Sequence, residues 1–330
     1  MSAAARDNAS WVLPAGTSGS VGWEVEVTDA REGWQHTGLQ VATLSGDDSR
    51  ALDTGEREVI VVPLSGSVAV RVDDAAGGHE IVLAGRESVF AGATDVAYVG
   101  RDSRLELAAA GGGRARVALA LAQVTPGSAP KPPRHLPVAD VPIELRGAGV
   151  ASREVRNFGV PAVLDADSII ACEVITPAGN WSSYPPHKHD EERPGEETAL
   201  EEIYYFELQT QRGGPSDHAG RPGGNGGDHS AGTTEGRAPR AVAYHRVYGT
   251  ADRPIDVLAE VRSGDVVLVP HGWHGPSMAP PGYDLYYLNV MAGPGAERAW
   301  LICDDPAHGW VRDTWTSQQV DPRLPFGGTR

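Results

Sequence analysis

The sequence contains little cysteine, few aromatic side chains and little positive charge. Among its 330 residues are 2 cysteines, Cys172 and Cys303, which form no CxxC pair, and aromatic residues make up 6%. Two isolated thiols exclude a disulfide-stapled fold and are typical of a reducing compartment. Lys and Arg number 28 against 44 Asp and Glu, which gives a formal net charge of -16. We therefore expect no nucleic-acid partner and no anionic membrane partner.

Long apolar segments are absent as well. The sequence begins MSAAARDN, which contains no apolar core of a signal peptide, and no later run is long enough to span a bilayer. We therefore predict a cytoplasmic protein. The chain is long enough for one large domain or two ordinary domains, each with its own hydrophobic core.

Glycine and proline, by contrast, are abundant, at 41 and 25 residues. Between them lie short runs rich in Val and Leu, and residues 58–64 and 68–72 read as a hairpin across a Ser-Gly turn. Residues 114–124 have helix propensity, but their position after the glycine turn at 111–113 favours a strand. Evenly spaced short strands of this kind predict a β-barrel or sandwich.

The chain divides into two such series of strands. Residues 1–125 predict an N-terminal barrel, residues 126–150 are rich in proline and basic residues and predict a linker, and residues 151–330 predict a C-terminal barrel. The first series contains no His-x-His, since His36 and His79 are far apart. We interpret it as a degenerate barrel that serves packing or assembly, which favours a homo-oligomer without fixing a number.

A Gly-rich stretch at about residues 209–240 interrupts the second series. Almost nothing in it can be buried, so we predict a mobile loop. Two histidines, His218 and His229, lie within it. We interpret both as solvated loop residues, because a metal site needs rigid supporting contacts.

The densest group of metal-ligand side chains begins at His187 and His189. On a strand, residues two apart point to the same face, so both imidazoles would lie close together. Such a pair can open a metal site. It can also cap the edge of a strand, with a nearby glutamate paired to Lys188, and that is the structural alternative.

Two later segments supply the missing ligands. Glu201 and Glu202 open a strongly β-prone run, and because they are adjacent only one of the two can face the metal. His274 follows the turn Pro270-x-Gly272 at the end of another strand-like run. Three imidazoles and one carboxylate leave one or two coordination positions open, the arrangement of a catalytic metal site.

Four segments around these residues resemble a known family: WSSYPPHKHD from Trp181, LEEIYY from Leu200, GDVVLVP from Gly264 and GYDLYYLNVMAGP from Gly282. They are similar to the 5-deoxy-glucuronate isomerase family of myo-inositol catabolism, whose members are bicupins related to uronate ketol-isomerases. The resemblance extends over nearly the whole chain. It implies an all-β fold of two tandem cupin barrels (double-stranded β-helix or jelly roll). It also implies that the metal ligands are His187, His189, Glu202 and His274, with Glu201 as the fallback for Glu202.

The resemblance further implies a metal-dependent aldose–ketose isomerase that converts 5-deoxy-D-glucuronate to 5-dehydro-2-deoxy-D-gluconate through an enediol. One divalent metal ion per chain is expected, zinc in first place and Mn or Fe as alternatives, because this ligand set accepts all three. The reaction needs a Lewis acid, a base that moves a proton between adjacent carbons, and a cation that holds the substrate carboxylate. The expected partner is therefore a small sugar acid.

The sequence does not rank the candidates for the base, which are Glu201, Lys188, Tyr204 and Tyr286. Tyr204 shares the strand face of Glu202 and should point into the same barrel. Tyr286 and Tyr287 face opposite ways, so we expect one of them to do the same. For the cation we choose Arg246, on a strand just past the Gly-rich stretch, with a surface salt bridge as the alternative. Lys188 is the weaker choice for binding the substrate, because a regular strand turns it away from the metal.

Three other functions share this pattern. A 5-keto-4-deoxyuronate ketol-isomerase would have the same fold, metal and chemistry, and the segment from Trp181 argues against it and for the inositol branch. A cupin dioxygenase would consume O₂. A non-enzymatic bicupin that binds a sugar acid or acts as a regulator is disfavoured, because no DNA-binding segment accompanies the barrels and the net charge is acidic.

Overall fold

The computed structural model describes residues 7–28, 30–124, 127–211 and 241–327. Most of the Gly-rich stretch, with His218 and His229, lies outside these described residues. Helices within them are short: Asn8–Trp11 (α1), Val311–Thr314 (α2) and 3-10 turns at Ala110–Gly112, Val138–Asp140, Gly149–Ala151 and Trp315–Ser317. None of these helices has the length and apolar character needed to cross a bilayer. The described chain is nearly all β, as predicted.

The first part of the chain contains the strands Val12–Leu13 (β1), Val25–Val27 (β2), Thr37–Ser45 (β3), Ser49–Asp53 (β4), Arg57–Asp74 (β5), Gly77–Arg86 (β6), Val96–Val99 (β7), Arg104–Ala109 (β8), Arg114–Gln123 (β9) and Arg134–Leu136 (β10). The segment with helix propensity at 114–124 is the strand β9, as its position after a glycine turn predicted. Val, Leu and Ala alternate along these strands, and β-branched residues fit such pleated, half-buried surfaces.

The second part contains the strands Ile143–Arg146 (β11), Arg153–Arg156 (β12), Ile170–Thr176 (β13), Trp181–Ser182 (β14), His187–Lys188 (β15), Glu201–Thr210 (β16), Ala243–Tyr248 (β17), Asp256–Val261 (β18), Val266–Val269 (β19), Trp273–Met278 (β20), Tyr283–Ala292 (β21) and Cys303–Asp304 (β22). They form a seven-stranded sheet in the order β1-β19-β16-β21-β13-β12-β11 and a six-stranded sheet in the order β18-β17-β20-β15-β22, with β14 beside β20. Buried residues from both sheets share one hydrophobic cluster, which forms the interior of the C-terminal barrel.

The N-terminal barrel is one nine-stranded sheet that folds on itself. Its main path runs β10-β7-β5-β9-β3-β2, and β4, β6 and β8 join it through the long strand β5. The interior is filled by aliphatic side chains such as Val59, Val61, Leu107 and Leu119. Among the described residues, this barrel contains no cluster of metal-ligand side chains.

A third hydrophobic cluster lies between the two barrels. On β16, Ile203 and Tyr205 belong to it, whereas Tyr204 and Phe206 belong to the interior of the C-terminal barrel. Strand residues alternate between two faces, so each central strand is buried on both. The barrels are thus packed face to face through their large sheets.

The chain crosses between the barrels more often than the predicted boundaries suggest. β1 pairs with β19, with Val12 opposite Val267, so the N-terminal segment is part of the second barrel's sheet. Within the predicted linker, β10 pairs with β7 of the first barrel and β11 with β12 of the second. The predicted boundaries at 125 and 150 therefore do not coincide with the limits of the two barrels, because strands on the far side of each boundary pair with the sheets of either barrel.

Candidate metal centre

Three strands of the C-terminal barrel bring the predicted metal ligands together. His187 on β15 lies directly opposite His274 on β20, and His189 follows two residues later. These histidines come from the six-stranded sheet, whereas Glu202 comes from the start of β16 in the seven-stranded sheet. The four side chains therefore meet between the sheets, inside the barrel.

The four side chains are close enough to share one ion. The ligand nitrogens of His187, His189 and His274 all lie within 4.8 Å of one another. Glu202 Oε2 lies 3.2 Å from His189 Nε2 and 3.1 Å from His274 Nε2. Exposure ranges from 1% at His189, Glu202 and His274 to 8% at His187. No other group of this kind occurs among the described residues.

Backbone carbonyls orient the three imidazoles. The Nδ1 atom lies 3.5 Å from Pro185 O in His187, 3.1 Å from Leu200 O in His189 and 3.1 Å from Gly272 O in His274. Each carbonyl can accept a hydrogen bond from the Nδ1–H group, which leaves the Nε2 lone pairs directed at the centre. Apart from its 3.1 Å contact with Glu202 Oε2, the buried Nε2 of His274 has no hydrogen-bond partner there. A divalent metal ion fits this donor set, because it would bind that nitrogen and four protein ligands would leave coordination positions open.

The protonation states also suit a metal. Burial on its own would raise the pKa of Glu202, but hydrogen bonds and charge interactions with His189 and His274 lower it far below the ordinary value. Burial, and then the neighbouring imidazoles, lower the pKa of His187 well below its ordinary value. Despite its burial, the hydrogen bond to Glu202 and the charge of that carboxylate raise the pKa of His189. Glu202 as a carboxylate and His187 as a neutral imidazole are the forms that bind cations.

A cavity of about 370 Å³ opens beside these residues and includes His187 and Glu202 in its wall. Its size falls in the ordinary range of small-molecule sites, about 300–1,000 Å³. Three hydroxyl groups form a chain along the wall: Ser183 Oγ lies 3.3 Å from the Tyr204 hydroxyl and 3.1 Å from that of Tyr287. Burial raises the pKa of Tyr287 to about 12, and burial and the Glu202 charge raise that of Tyr204 well above its ordinary value. Both phenols therefore stay protonated and can donate hydrogen bonds.

Glu201 and Tyr286, two of the predicted bases, face the other barrel and do not line this cavity. Glu201 accepts hydrogen bonds from the backbone amides of Gln35, His36 and Thr37. The Tyr286 hydroxyl donates to Glu173 at 2.7 Å within the cluster between the barrels. The strand alternation that places Glu202 and Tyr287 inside the barrel places their neighbours outside it.

The two predicted cations are also elsewhere. Arg246 Nη1 donates to Asp256 and to the Val257 carbonyl on the neighbouring strand. Arg246 therefore forms the salt bridge that was the alternative to its role in substrate binding. Lys188 Nζ donates to Asp190 at 2.7 Å and to Glu197 at 2.8 Å, directed away from the histidines as a regular strand requires. Neither side chain lines the cavity.

Sequence reasoning missed the charged part of the cavity wall, which consists of Arg146, Arg153, Asp304 and Arg312. Asp304 and Arg312 lie in the C-terminal tail beyond β21, for which no site residue was predicted from the sequence. No role was predicted for Arg153, the first residue of β12. Arg153 could have been recognised from the sequence, because it lies on the first interior strand of the second barrel and arginine is rarely buried on a hydrophobic face without a functional or structural partner.

The fold and the donor set define a bicupin with one candidate metal centre, in its C-terminal barrel. A profile of the KduI/IolB family matches residues 12–311. The chain belongs to the KduI/IolB family.

Comparisons with single proteins agree with this assignment. A 5-deoxy-glucuronate isomerase of Geobacillus kaustophilus is 36% identical over 309 residues, 92% of this chain and 95% of that protein. The crystal structure of an IolB-like protein from Salmonella typhimurium aligns with a TM-score of 0.73 and 28% identity, over 91% of this chain and 98% of that chain. The oxalate decarboxylase of Lactobacillus farciminis aligns with a TM-score of 0.55 over 84% and 82% of the two chains, and at 12% identity it is similar in fold alone.

Proposed function

We propose that this protein is a 5-deoxy-glucuronate isomerase, which converts 5-deoxy-D-glucuronate to 5-dehydro-2-deoxy-D-gluconate in myo-inositol catabolism. The observation that carries the proposal is the buried group of three imidazoles and one carboxylate beside a cavity, in a chain of the KduI/IolB family. A relative with that activity in its name covers 92% of this chain. The enzyme is thus an isomerase that takes a small-molecule substrate.

His187, His189, Glu202 and His274 are the proposed ligands of one divalent metal ion per chain. Zinc is the first choice and Mn or Fe the alternatives, because imidazole and carboxylate ligands suit all three. When bound, such an ion supplies Lewis acidity for the negative charge that develops on the substrate oxygens. Hydrogen bonds to the backbone carbonyls of Pro185, Leu200 and Gly272 orient the three imidazoles so that their Nε2 atoms can bind the ion.

The isomerisation itself needs only proton movement. One proton leaves the carbon beside the aldehyde and one is added to the aldehyde carbon, while a further proton moves between the two oxygens. No oxidant, reductant or co-reactant enters the balance. Tyr204, Ser183 and Tyr287 are the groups that we propose for the oxygen proton, because their hydroxyls are linked and their burial keeps the phenols protonated.

The direct test is a proton NMR time course of 5-deoxy-D-glucuronate in D₂O with protein of measured metal content. We expect conversion, with deuterium appearing on the carbon next to the new ketone. His274→Ala should lose both the metal and the conversion, because one of three imidazoles is removed. His79→Ala is the matched control, since His79 lies on β6 of the other barrel and contacts Asp74.

A fully metallated protein that leaves 5-deoxy-D-glucuronate unchanged would overturn the substrate assignment. The 5-keto-4-deoxyuronate would then be tested in the same cell, and O₂ uptake after it. Conversion by His274→Ala at the wild-type rate would instead overturn the proposed ligand set.

The remaining expectations are part of the same proposal. We place the enzyme in the cytoplasm, where Cys172 and Cys303 would stay the free thiols that the structure contains. A homo-oligomer stays a prediction, to be checked by the molar mass in solution.

A further inference from the structure

Three arginines line the cavity, and two of them are already neutralised. Arg146 forms a two-pronged pair with Glu144, with Nε donating at 2.9 Å and Nη2 at 2.7 Å. Arg312 forms a similar pair with Asp304, in which Nη2 donates at 2.6 Å. Such pairs fix the guanidinium groups and leave little net charge for a ligand.

Arg153, the third arginine, is buried at 5% exposure and has no carboxylate partner among the described residues. Its Nη1 donates to the carbonyl of Ala151 at 3.1 Å and lies 3.5 Å from that of Tyr184. Its guanidinium carbon lies 5.6 Å from the centre of the Trp315 ring. Within the described part of the chain, the Nε and Nη2 donors are left without an acceptor.

The surroundings of Arg153 make its positive charge costly. Burial is the main cause that lowers its pKa to about 10, and the charges of Arg146 and Arg312 act in the same direction. The group remains charged at neutral pH, since that pKa is still well above 7. A buried cation without an anion is destabilising, because its lost hydration is not replaced by an opposite charge. A bound anionic ligand would supply the missing opposite charge and stabilise the buried guanidinium group.

The local backbone leaves space for the charge. A Cβ atom at Gly147 would lie 2.8 Å from Arg153 Nη1 and 2.2 Å from the Ala151 carbonyl, and Gly147 has a φ of +79°. A side chain there would push the guanidinium away from the wall. The glycine at position 147 therefore allows the Arg153 guanidinium to lie against the cavity wall. Arg153 is on β12, which is the third strand from β16 and Glu202 in the same sheet.

The geometry points to Arg153 as the residue that binds the carboxylate of the substrate and so selects a sugar acid over a neutral sugar. The inference rests on the proposed function, since it takes the aldehyde end to lie at the metal centre. The two free donors, Nε and Nη2, suit a bidentate bond to a carboxylate. A neutral sugar would leave the guanidinium desolvated and unpaired, and sites of that kind reject the uncharged analogue strongly.

The competing explanation is structural: Arg153 could hold the segment before His187 through the Tyr184 carbonyl. The two explanations predict different results for Arg153→Gln. If the arginine is structural, its loss lowers stability and metal content and weakens all substrates equally. If it binds the carboxylate, its loss removes an unpaired buried charge, so the denaturant midpoint stays or rises and the metal is kept.

The experiment compares 5-deoxy-D-glucuronate with its neutral analogue 5-deoxy-D-glucose on metal-loaded wild type, Arg153→Gln and Arg153→Lys. We expect wild type to prefer the acid by at least about 10²-fold in kcat/KM. Arg153→Gln should lose that preference to within about 10-fold, chiefly through KM for the acid, and Arg153→Lys should be intermediate. Arg262→Gln is the matched control, because Arg262 is exposed and pairs with Glu260. An equal loss on both sugars would overturn the inference.

A binding measurement separates this inference from the proposed function. Calorimetric titration of the metal-loaded proteins with glutarate and with D-glucuronate needs no turnover. Binding by wild type that is lost in Arg153→Gln would support the inference even if 5-deoxy-D-glucuronate were not converted. Binding that is equal in both proteins, or absent from wild type, would overturn it.

Discussion

Glu58 and Glu201 occupy equivalent positions in the two barrels, and each carboxylate accepts hydrogen bonds from three consecutive backbone amides of the other barrel. Glu58, on β5, accepts from the amides of residues 167–169 at 2.5–2.8 Å. Glu201, on β16, accepts from those of residues 35–37 at 2.6–3.1 Å. The equivalence follows from strand register, because Glu58 lies opposite Ala122 on β9 and Glu201 opposite Ala292 on β21.

This relationship predicts that Glu201 acts in stability and not in proton transfer. Glu58→Gln and Glu201→Gln should each lower the free energy of unfolding by about 1–3 kcal/mol, because buried amide donors lose a charged acceptor. Turnover per metal-loaded molecule should stay within about threefold of wild type in both. Denaturant midpoints and kcat on the same preparations check this. If Glu201→Gln alone kept its stability and lost most of its kcat, the prediction would be contradicted and Glu201 would again be a candidate for the catalytic base.

The same register explains why the candidate metal centre found among the described residues lies in the second barrel and not in the first. His274 on β20 lies opposite both His187 and Val247. In the first barrel Leu105 on β8 lies in the same way opposite both Leu52 and Val72, so Leu52 and Leu105 correspond to the two histidines. The position of Glu202 corresponds to Val59, since each follows the equivalent glutamate. Two leucines and a valine therefore stand where the second barrel has two imidazoles and a carboxylate.

We therefore predict one metal ion per chain. Elemental analysis of the purified protein should give a ratio near one, falling towards zero in His274→Ala and Glu202→Ala. Treatment with a chelator should abolish turnover, and a divalent ion should restore it, because the donor set is already oriented by backbone carbonyls. A ratio near two, or metal retained by both variants, would contradict this account of the first barrel.

Local sequence was sufficient to group the four proposed ligands but not the rest of the cavity. That His187, His189, Glu202 and His274 lie together could be predicted because strand alternation and short motifs fix their positions locally. On β16 the ligand Glu202 also fixes the inner face, so Tyr204 was placed correctly. No ligand marks β21, and both of its faces are buried, so hydrophobicity could not distinguish Tyr286 from Tyr287.

The charged wall could not be predicted for a different reason. Arg153 and Arg312 reach the cavity from β12 and from the tail, far in sequence from the histidines. Such contacts depend on the order of strands across the sheet, which short motifs do not encode. Arg246 was the nearest arginine along a predicted strand, but it faces Asp256.

The two faces of β21 provide a matched pair of tyrosine variants. Tyr287→Phe should lower kcat by about 10²-fold or more with the metal retained, because it removes a donor that faces the cavity. Tyr204→Phe should act in the same way, since Ser183 links the two hydroxyls. Tyr286→Phe should keep kcat and lower the denaturant midpoint, because its hydroxyl bonds Glu173 between the barrels. The reverse pattern, with Tyr286→Phe inactive and Tyr287→Phe active, would contradict our placement of the site.

Glu173 is the centre of a buried ionic network between the barrels. It pairs with Arg86, whose Nη1 donates at 2.9 Å, and lies 3.5 Å from Arg156 Nη1. All three side chains are at most 3% exposed. Burial alone would raise the pKa of Glu173, but the two arginines and the Tyr286 hydroxyl lower it below its ordinary value of 4.5.

The lowered pKa of Glu173 predicts how stability depends on pH. Because the folded state has the lower pKa, the stabilisation is complete above about pH 4.5 and is lost as the pH falls through the folded-state value. Glu173→Gln should lower the free energy of unfolding at neutral pH by about 3–5 kcal/mol, since it leaves Arg86 buried and unpaired. Its stability should also fall less steeply than that of wild type below pH 4.5.

The control for Glu173→Gln is Glu80→Gln, which breaks the surface pair of Glu80 with Arg71, where both side chains are more than half exposed. Water screens that pair, so this variant should follow the wild-type profile closely. Denaturant unfolding at several pH values between 3 and 8 compares the three proteins. If Glu173→Gln and Glu80→Gln had the same small effect at neutral pH and the same acid profile, the network would not be what holds the two barrels together.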